Sequence, residues 1–245
     1  LFNKNSRFQK LIRALTKLKA QRAAVLAIIL VSSTVFISNA QVVSPFGKID
    51  QSHAKSFGEL LVQSNEGRIE PINSVASKIL RKVYKNDRYN GMSAVEVFLD
   101  MNADPNKWAA EKIIKVSNKE IKMILGVTSN YVSYNEVVLG GYKLAKQVEE
   151  AYGKEPGARN KLDKEIMTVD ERVNICYLVL SGEMMKIFPI PDDPNHTWIF
   201  LRGSEQRLPE ENREFAIRTL SNYLMAVNDA KKTANWEQAN RLLIE

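Results

Sequence analysis

Apolar residues recurring at steps of three and four give the strongest pattern in the chain, between residues 158 and 185. Leu162, Ile166, Val169, Val173, Tyr177, Leu180 and Met184 fall on one side, and Asp163, Lys164, Asp170 and Glu171 fall on the other. That spacing predicts a long helix with its apolar stripe on a core. Upstream, Val75, Ile79, Leu80 and Val83 predict a helix over 73–85 capped by Asn73 or Ser74. Ser93 caps a second one carrying Val95, Val97, Phe98 and Met101. Asp104-Pro105 starts a short turn of helix with proline at its first position, and Asn118 opens another.

The β signals are weaker. Residues 57–62 lead into Asn65-Glu66-Gly67-Arg68, a turn with glycine where positive φ is cheap, and Arg68-Ile69-Glu70-Pro71 returns as a small hairpin. Residues 112–116 alternate weakly, as a strand would. Ile187-Phe188-Pro189-Ile190-Pro191 ends the long helix and reads as an extended edge, and a turn at 194–198 precedes Ile199-Phe200-Leu201. Helices are expected from Pro209 to about 227 and from Thr233 onward. There is no repeat and no low-complexity stretch, so the class is mostly α with minor β.

Residues 23–47 contain no charged side chain. About 20 apolar residues cross the hydrocarbon core as a helix. The hydroxyls of Ser32, Ser33 and Thr34 do not forbid this, because each can bond back to a carbonyl one turn earlier. The expected organisation is a basic cytoplasmic or interfacial arm at 1–22, a transmembrane helix at 23–40 and a linker at 41–50. An α-rich extracytoplasmic domain follows at 51–245. Positive charge concentrated before the span places the N-terminus in the cytoplasm. Cleavage as a signal peptide competes, since Ser38-Asn39-Ala40 has the small-x-small form. The arm favours retention: Phe8, Leu11, Ile12, Leu15 and Leu18 recur at helical spacing, as in an interfacial helix. Either route puts the domain outside the cytoplasm.

Charge then loses its apparent meaning. The chain has 35 basic and 28 acidic residues, a net +7. Lys4, Arg7, Lys10, Arg13, Lys17, Lys19 and Arg22 supply that whole excess, leaving 28 of each sign over 23–245. A nucleic-acid-binding surface needs a basic excess in the folded part, so nucleic acid is excluded as a partner; the bilayer is the partner that the arm and span imply. The chain opens on Leu1 and its last residues read as an unfinished helix, so a piece of a longer protein is expected.

Candidate chemistry is sparse. His53 and His196 are the two histidines, in separate segments and without ligand-spaced companions, and each reads first as an ordinary hydrogen-bonding side chain. Cys176 is the single cysteine; a thiol that trades with substrate cysteines is one reading, a small buried apolar residue the commoner one. It excludes an internal disulfide and a thiolate zinc cluster. Asp170-Glu171-Arg172-Val173-Asn174 could do acid–base work, but it reads better as a polar network anchoring loops. Gly67-Arg68 lacks phosphate-loop spacing. Trp108, Trp198 and Trp236 read as core or interface anchors. No catalytic residue and no metal ligand is assigned, and the cofactor-binding residues stay unknown. The residues by themselves describe an exported binding or assembly module.

Several stretches carry a resemblance. Leu60-Leu61-Val62-Gln63 with Gly67-Arg68-Ile69-Glu70-Pro71-Ile72-Asn73-Ser74 resembles the VQDxxGRxxPxNT segment of the fused CcsB–CcsA (ResB–ResC) System II cytochrome c synthases of Bacteroidota and Campylobacterota. His53-Ala54-Lys55-Ser56-Phe57-Gly58 is similar to the HAxxFG lead-in, residues 163–177 to the DKExxxVDERxNICY helix, and residues 187–198 to the IFPxPxDPNxxW loop. Ser64 stands for the usual aspartate and Ser74 for threonine. The resemblance implies cytochrome c biogenesis: the CcsB-side span and periplasmic domain of an inner-membrane haem lyase, scaffolding or presenting the CxxCH segment of apocytochrome c. Haem belongs to the resembled full-length protein, at a tryptophan-rich CcsA-type half absent here. No haem is therefore expected on this piece, and neither His53 nor His196 is taken as a ligand. The rival is an independent membrane-anchored envelope adaptor without haem chemistry.

Overall fold

The computed structural model describes residues 47–201 and 203–244. The arm, the span and most of the linker expected at 1–46 lie outside them. Among the described residues no helix is long and apolar enough to cross a membrane. They form ten α-helices and four two-stranded antiparallel pairs, so this part is mostly helical with small strands.

Three helices make the centre. Helix α2 (Ile72–Val83), α3 (Ala94–Ala103) and α8 (Lys161–Leu180) pack on one another. Each buries the stripe its sequence dictates. Ile72, Val75, Ala76, Ile79, Leu80 and Val83 of α2 are buried, as are Val97, Phe98, Leu99 and Met101 of α3 and Ile166, Val169, Val173, Cys176 and Val179 of α8. Each large apolar side chain so buried is worth about 1.5–3 kcal/mol relative to exposure. Ser93 starts α3 with a full capping box: its side chain accepts from Glu96 N–H while the Glu96 carboxylate accepts from Ser93 N–H. Asn160 and Asp163 do the same for α8, fixing its start three residues later than the apolar pattern alone suggests.

Two expectations for the long helix are corrected. Tyr177 turns outward and is 46 % exposed, because the inward face is completed by Val173, Cys176 and Leu180, three and four apart. Asp163 is buried rather than exposed, since it serves as the reciprocal half of the cap and pairs with Lys154 at 2.7 Å. Lys164 is exposed as expected.

Shorter elements wrap this centre. Helix α1 (Gln51–Glu59) begins right after the expected linker and replaces the start of the expected hairpin arm at 57–59; Asp50 caps it by accepting from His53 N–H at 2.9 Å. Strands β1 (Leu61–Gln63) and β2 (Ile69–Pro71) form the expected hairpin. Strands β3 (Arg88–Tyr89) and β4 (Met92–Ser93) form a second, leading into α3. Helix α4 (Pro105–Ala110) starts at its proline, with Asp104 accepting from Lys107 N–H. The weak 112–116 strand contracts to β5 (Ile114–Lys115), paired with β6 (Tyr131–Val132) across α5 (Lys119–Leu125). Gly126, at φ 71°, ends α5 in a left-handed turn that side chains disfavour. Helices α6 (Tyr134–Val138) and α7 (Ala145–Gly153) follow, the latter against α8.

The remaining chain builds a satellite and a clasp. Strands β7 (Phe188–Pro189) and β8 (Trp198–Ile199) pair, and Ile199, Leu201, Leu208 and Ala216 form a small separate cluster with Phe188, Ile190 and Leu220. Helix α9 (Glu210–Thr233) runs six residues beyond the expected end near 227 and stops at Ala234, at φ 60°. Helix α10 (Glu237–Ile244) then folds back on α9 and α1. Gly47 lies so close to α9 that a side chain there would meet the Lys231 carbonyl at 2.5 Å.

Candidate functional site

Strand alternation gives the β1–β2 hairpin two unlike faces. Val62 is fully buried, while Leu61 and Ile69 are 49 % and 48 % exposed. In the observed register Leu61 sits opposite Pro71 and Gln63 opposite Ile69, so these four share the outward face. The β7–β8 hairpin meets that face at its edge, and Gln63 makes the joint. Its backbone N–H donates to Lys186 O at 3.0 Å. Its side-chain amide donates to Gly67 O (3.2 Å) and His196 O (3.1 Å), and its Oε1 accepts from Trp198 N–H at 2.8 Å. Lys186 reaches back to Asn65 Oδ1 at 2.8 Å. One glutamine thus ties together two segments more than 120 residues apart in the chain, both of which carry the resemblance described above.

The loop between β7 and β8 is tightly held. Ile190 N–H donates to Thr197 O, His196 N–H to Asp193 O, and Thr197 N–H to the Asp193 carboxylate at 2.8 Å. Those Thr197 bonds hold the Asp193 carboxyl below the usual carboxylate range. Asp192 and His196 adopt φ of 57° and 50°, a left-handed conformation that is rare outside glycine and must be held by its surroundings. His196 is exposed and Trp198 half-buried. The joint presents an apolar hairpin face, an imidazole and an indole on a fixed backbone; this suits binding, and it holds no paired acid and base.

The other candidates go elsewhere. His53 is buried in α1, not in a polar loop; its Nδ1 is 2.6 Å from Asn240 Oδ1 and its Nε2 3.0 Å from Tyr223 Oη, with Trp236 beside the ring at 4.8 Å between centroids. It shares no partner with His196. Cys176 is buried, and burial pushes its thiol up to about 12, so it stays protonated and unreactive at neutral pH. The 170–174 segment disperses. Tyr142 Oη donates to Asp170 Oδ1 at 2.6 Å, Lys82 pairs with Glu171 at 2.8 Å, and Arg172 donates through Nη1 to Lys115 O. Asp170 and Glu171 thus face different partners and share no proton site. Trp108 is fully buried, bonded to Asp100. Among the described residues no group of three or more His, Cys, Asp or Glu could hold a metal ion. A shallow open cleft beside α8 is lined by Tyr152, Pro156, Arg159 and Lys164, but the Arg159 guanidinium is already engaged by the carbonyls of Ala151, Tyr152 and Lys154.

The sequence gives no sign of the joining role of Gln63, of Tyr223 and Asn240, or of the buried pair of Lys231 with Asp100. All five act through partners distant in the chain, which no local spacing signals.

No family model matches the chain. It is 37 % identical over 160 residues to Protein NrfI of Wolinella succinogenes, a stretch that is 64 % of this chain and 18 % of that protein. The chain spans less than a fifth of the relative's length, so what the whole relative does is not thereby assigned to it.

Proposed function

We propose that this chain is the extracytoplasmic part of a System II haem-attachment membrane protein of the fused CcsB–CcsA type, and that it holds the CxxCH segment of apocytochrome c for haem ligation elsewhere. The observation that carries the reading is the 37 % likeness to Protein NrfI over 160 residues. Two things add support. Two of the segments that resemble the family, 60–74 and 187–198, meet at Gln63, where an exposed apolar hairpin face adjoins a fixed loop. The acid-free basic arm before an uncharged stretch supports a span at 23–40 in the inner membrane, with residues from about 41 on the periplasmic side. Haem chemistry itself is assigned to a CcsA-type half, because this piece offers two histidines that share no partner, one of them buried in neutral hydrogen bonds.

A photo-crosslinking residue at Ile69 tests the docking face. In membranes carrying the full chain it captures an apocytochrome peptide containing CxxCH, while the same probe at exposed Met123, away from the joint, does not. Equal capture at both positions, or none at Ile69, overturns the assignment of this face.

A further inference from the structure

His53 closes a clasp between the first described helix and the last. It belongs to α1 and is 1 % exposed, its ring lying between Tyr223 of α9, Trp236 just before α10 and Asn240 of α10. Both ring nitrogens are used. Nδ1 lies 2.6 Å from Asn240 Oδ1, which can only accept, so Nδ1 carries the hydrogen. Nε2 is then the lone-pair side and accepts the Tyr223 hydroxyl at 3.0 Å. This arrangement fits one protonation state, the neutral ring.

Helix α10 has a slight apolar anchor on α9 and α1. Ala239 is its one fully buried residue, Leu242 and Leu243 are half-buried, and Ile244 at its end is 88 % exposed. A helix of eight residues with so small an apolar anchor does not stand by itself in water. The His53–Asn240 bond and the ring contact with Trp236 add the polar and aromatic part of what docks it.

We infer that His53 is an acid-sensitive clasp, and that its protonation releases helix α10 from α1 and α9. A second proton on the ring puts an N–H at Nε2, facing the Tyr223 hydroxyl hydrogen. The phenol must rotate to accept, and its own hydrogen then loses, in a buried site, the acceptor it had. The new positive charge is also shut off from water. The groups around it offer little compensation. At the cap of its own helix Asp50 is the charged neighbour, already engaged by Ser52 and the His53 backbone; from α9 there is Tyr223; from α10 and the residue before it there are Asn240 and Trp236, neither of which titrates. Burial accordingly holds His53 below the ordinary imidazole value, against the smaller opposing pulls of Asn240 and Asp50. The Trp236 face favours a cation, but only as a weak contact beside a desolvated ring.

The sign follows from linkage. The released state binds the proton more readily than the docked one, so docking is complete above the ordinary imidazole value of about 6.5 and weakens as pH falls below it. The loss is about tenfold in the docking equilibrium per pH unit until the docked ring itself protonates.

Hydrogen–deuterium exchange on the full chain at pH 7.5 and 5.0, corrected for intrinsic rates, reads this directly. Amides of α10 lose protection on the order of tenfold or more at pH 5.0, while those of α8 hold. Asn240→Asp places a carboxylate on the Nδ1 hydrogen and keeps α10 protected at pH 5.0. His53→Gln removes the pH dependence. Should His53→Gln fail to fold, Asn240→Asp still decides, because it adds a partner to the charged ring. Unchanged α10 protection in the unmodified chain, or the same acid release in Asn240→Asp, overturns the inference.

Discussion

Lys231→Met should be among the most damaging single substitutions in this domain. Asp100 of α3 is fully buried, and its carboxylate is shared between Lys231 Nζ of α9 and the Trp108 indole N–H of α4 at 2.9 Å. The Lys231 side chain is 7 % exposed and also donates to Asn228 Oδ1 at 3.1 Å, while Asn228 reaches across to Ala103 O at 2.6 Å. One ion pair therefore staples α9 to the α3–α4 corner. Methionine matches the lysine stem but leaves an uncompensated carboxylate in a dry site. Breaking a buried pair from one side costs about 3–5 kcal/mol. For a domain of this size, 1 kcal/mol moves Tm by about 2–4 °C, so a drop of about 6–20 °C is expected. Asp100→Leu combined with Lys231→Met removes both charges and should recover at least about half of that loss. Urea titration and thermal melts of the two single variants and the double variant form the cycle. A Lys231→Met loss under about 1 kcal/mol, or a double variant no better than the singles, refutes the reasoning.

Three further outcomes follow from the same packing. Val173→Asp buries an unpaired carboxylate on α8 and should cost on the order of 3 kcal/mol or more by thermal melt, whereas exposed Lys164→Ala stays within about 0.5 kcal/mol; equal melts contradict the assigned face. Gln63→Ala removes the side-chain bonds to Gly67, His196 and Trp198, so amides of the 190–198 loop should exchange at least about fivefold faster while the global melt falls by no more than about 2 kcal/mol. The Cys176 thiol, buried and pushed up to about 12, should resist a thiol reagent at pH 8 in the folded chain and react on unfolding; fast labelling of native protein would show that the α8 face opens.

Helices with a full apolar stripe were legible in the sequence, because burial and spacing agree in them. Val75, Ile79, Leu80 and Val83 of α2 all reach the core, and Ser93 caps α3. Elements with few buried side chains were not. Helix α7 fully buries only Ala151, too little for a periodic signal. Helix α6 is five residues long, yet its Ser133–Glu136 capping box was there to be read. Helix α1 has no clear sequence signal, and its end at 57–59 reads as a strand, because its nine residues hold their place through His53 and Phe57, whose partners lie on α3, α9 and α10. The candidate site divides the same way. The hairpin and the 187–198 loop were visible as turn chemistry, but their meeting at Gln63 was not, since a glutamine in a short strand gives no hint of a partner 133 or 135 residues away.

Titration of the full chain with haem and with a CxxCH peptide tests the account most directly. A docking surface for a partner that must be ordered and later released binds weakly, at a Kd of about micromolar or above, near −8 kcal/mol at best. The peptide should bind so, more weakly after Ile69→Asp, and haem should not bind stoichiometrically. A sharp Soret shift lost in His196→Ala or His53→Ala, with no peptide binding, would contradict it and make this domain a haem carrier.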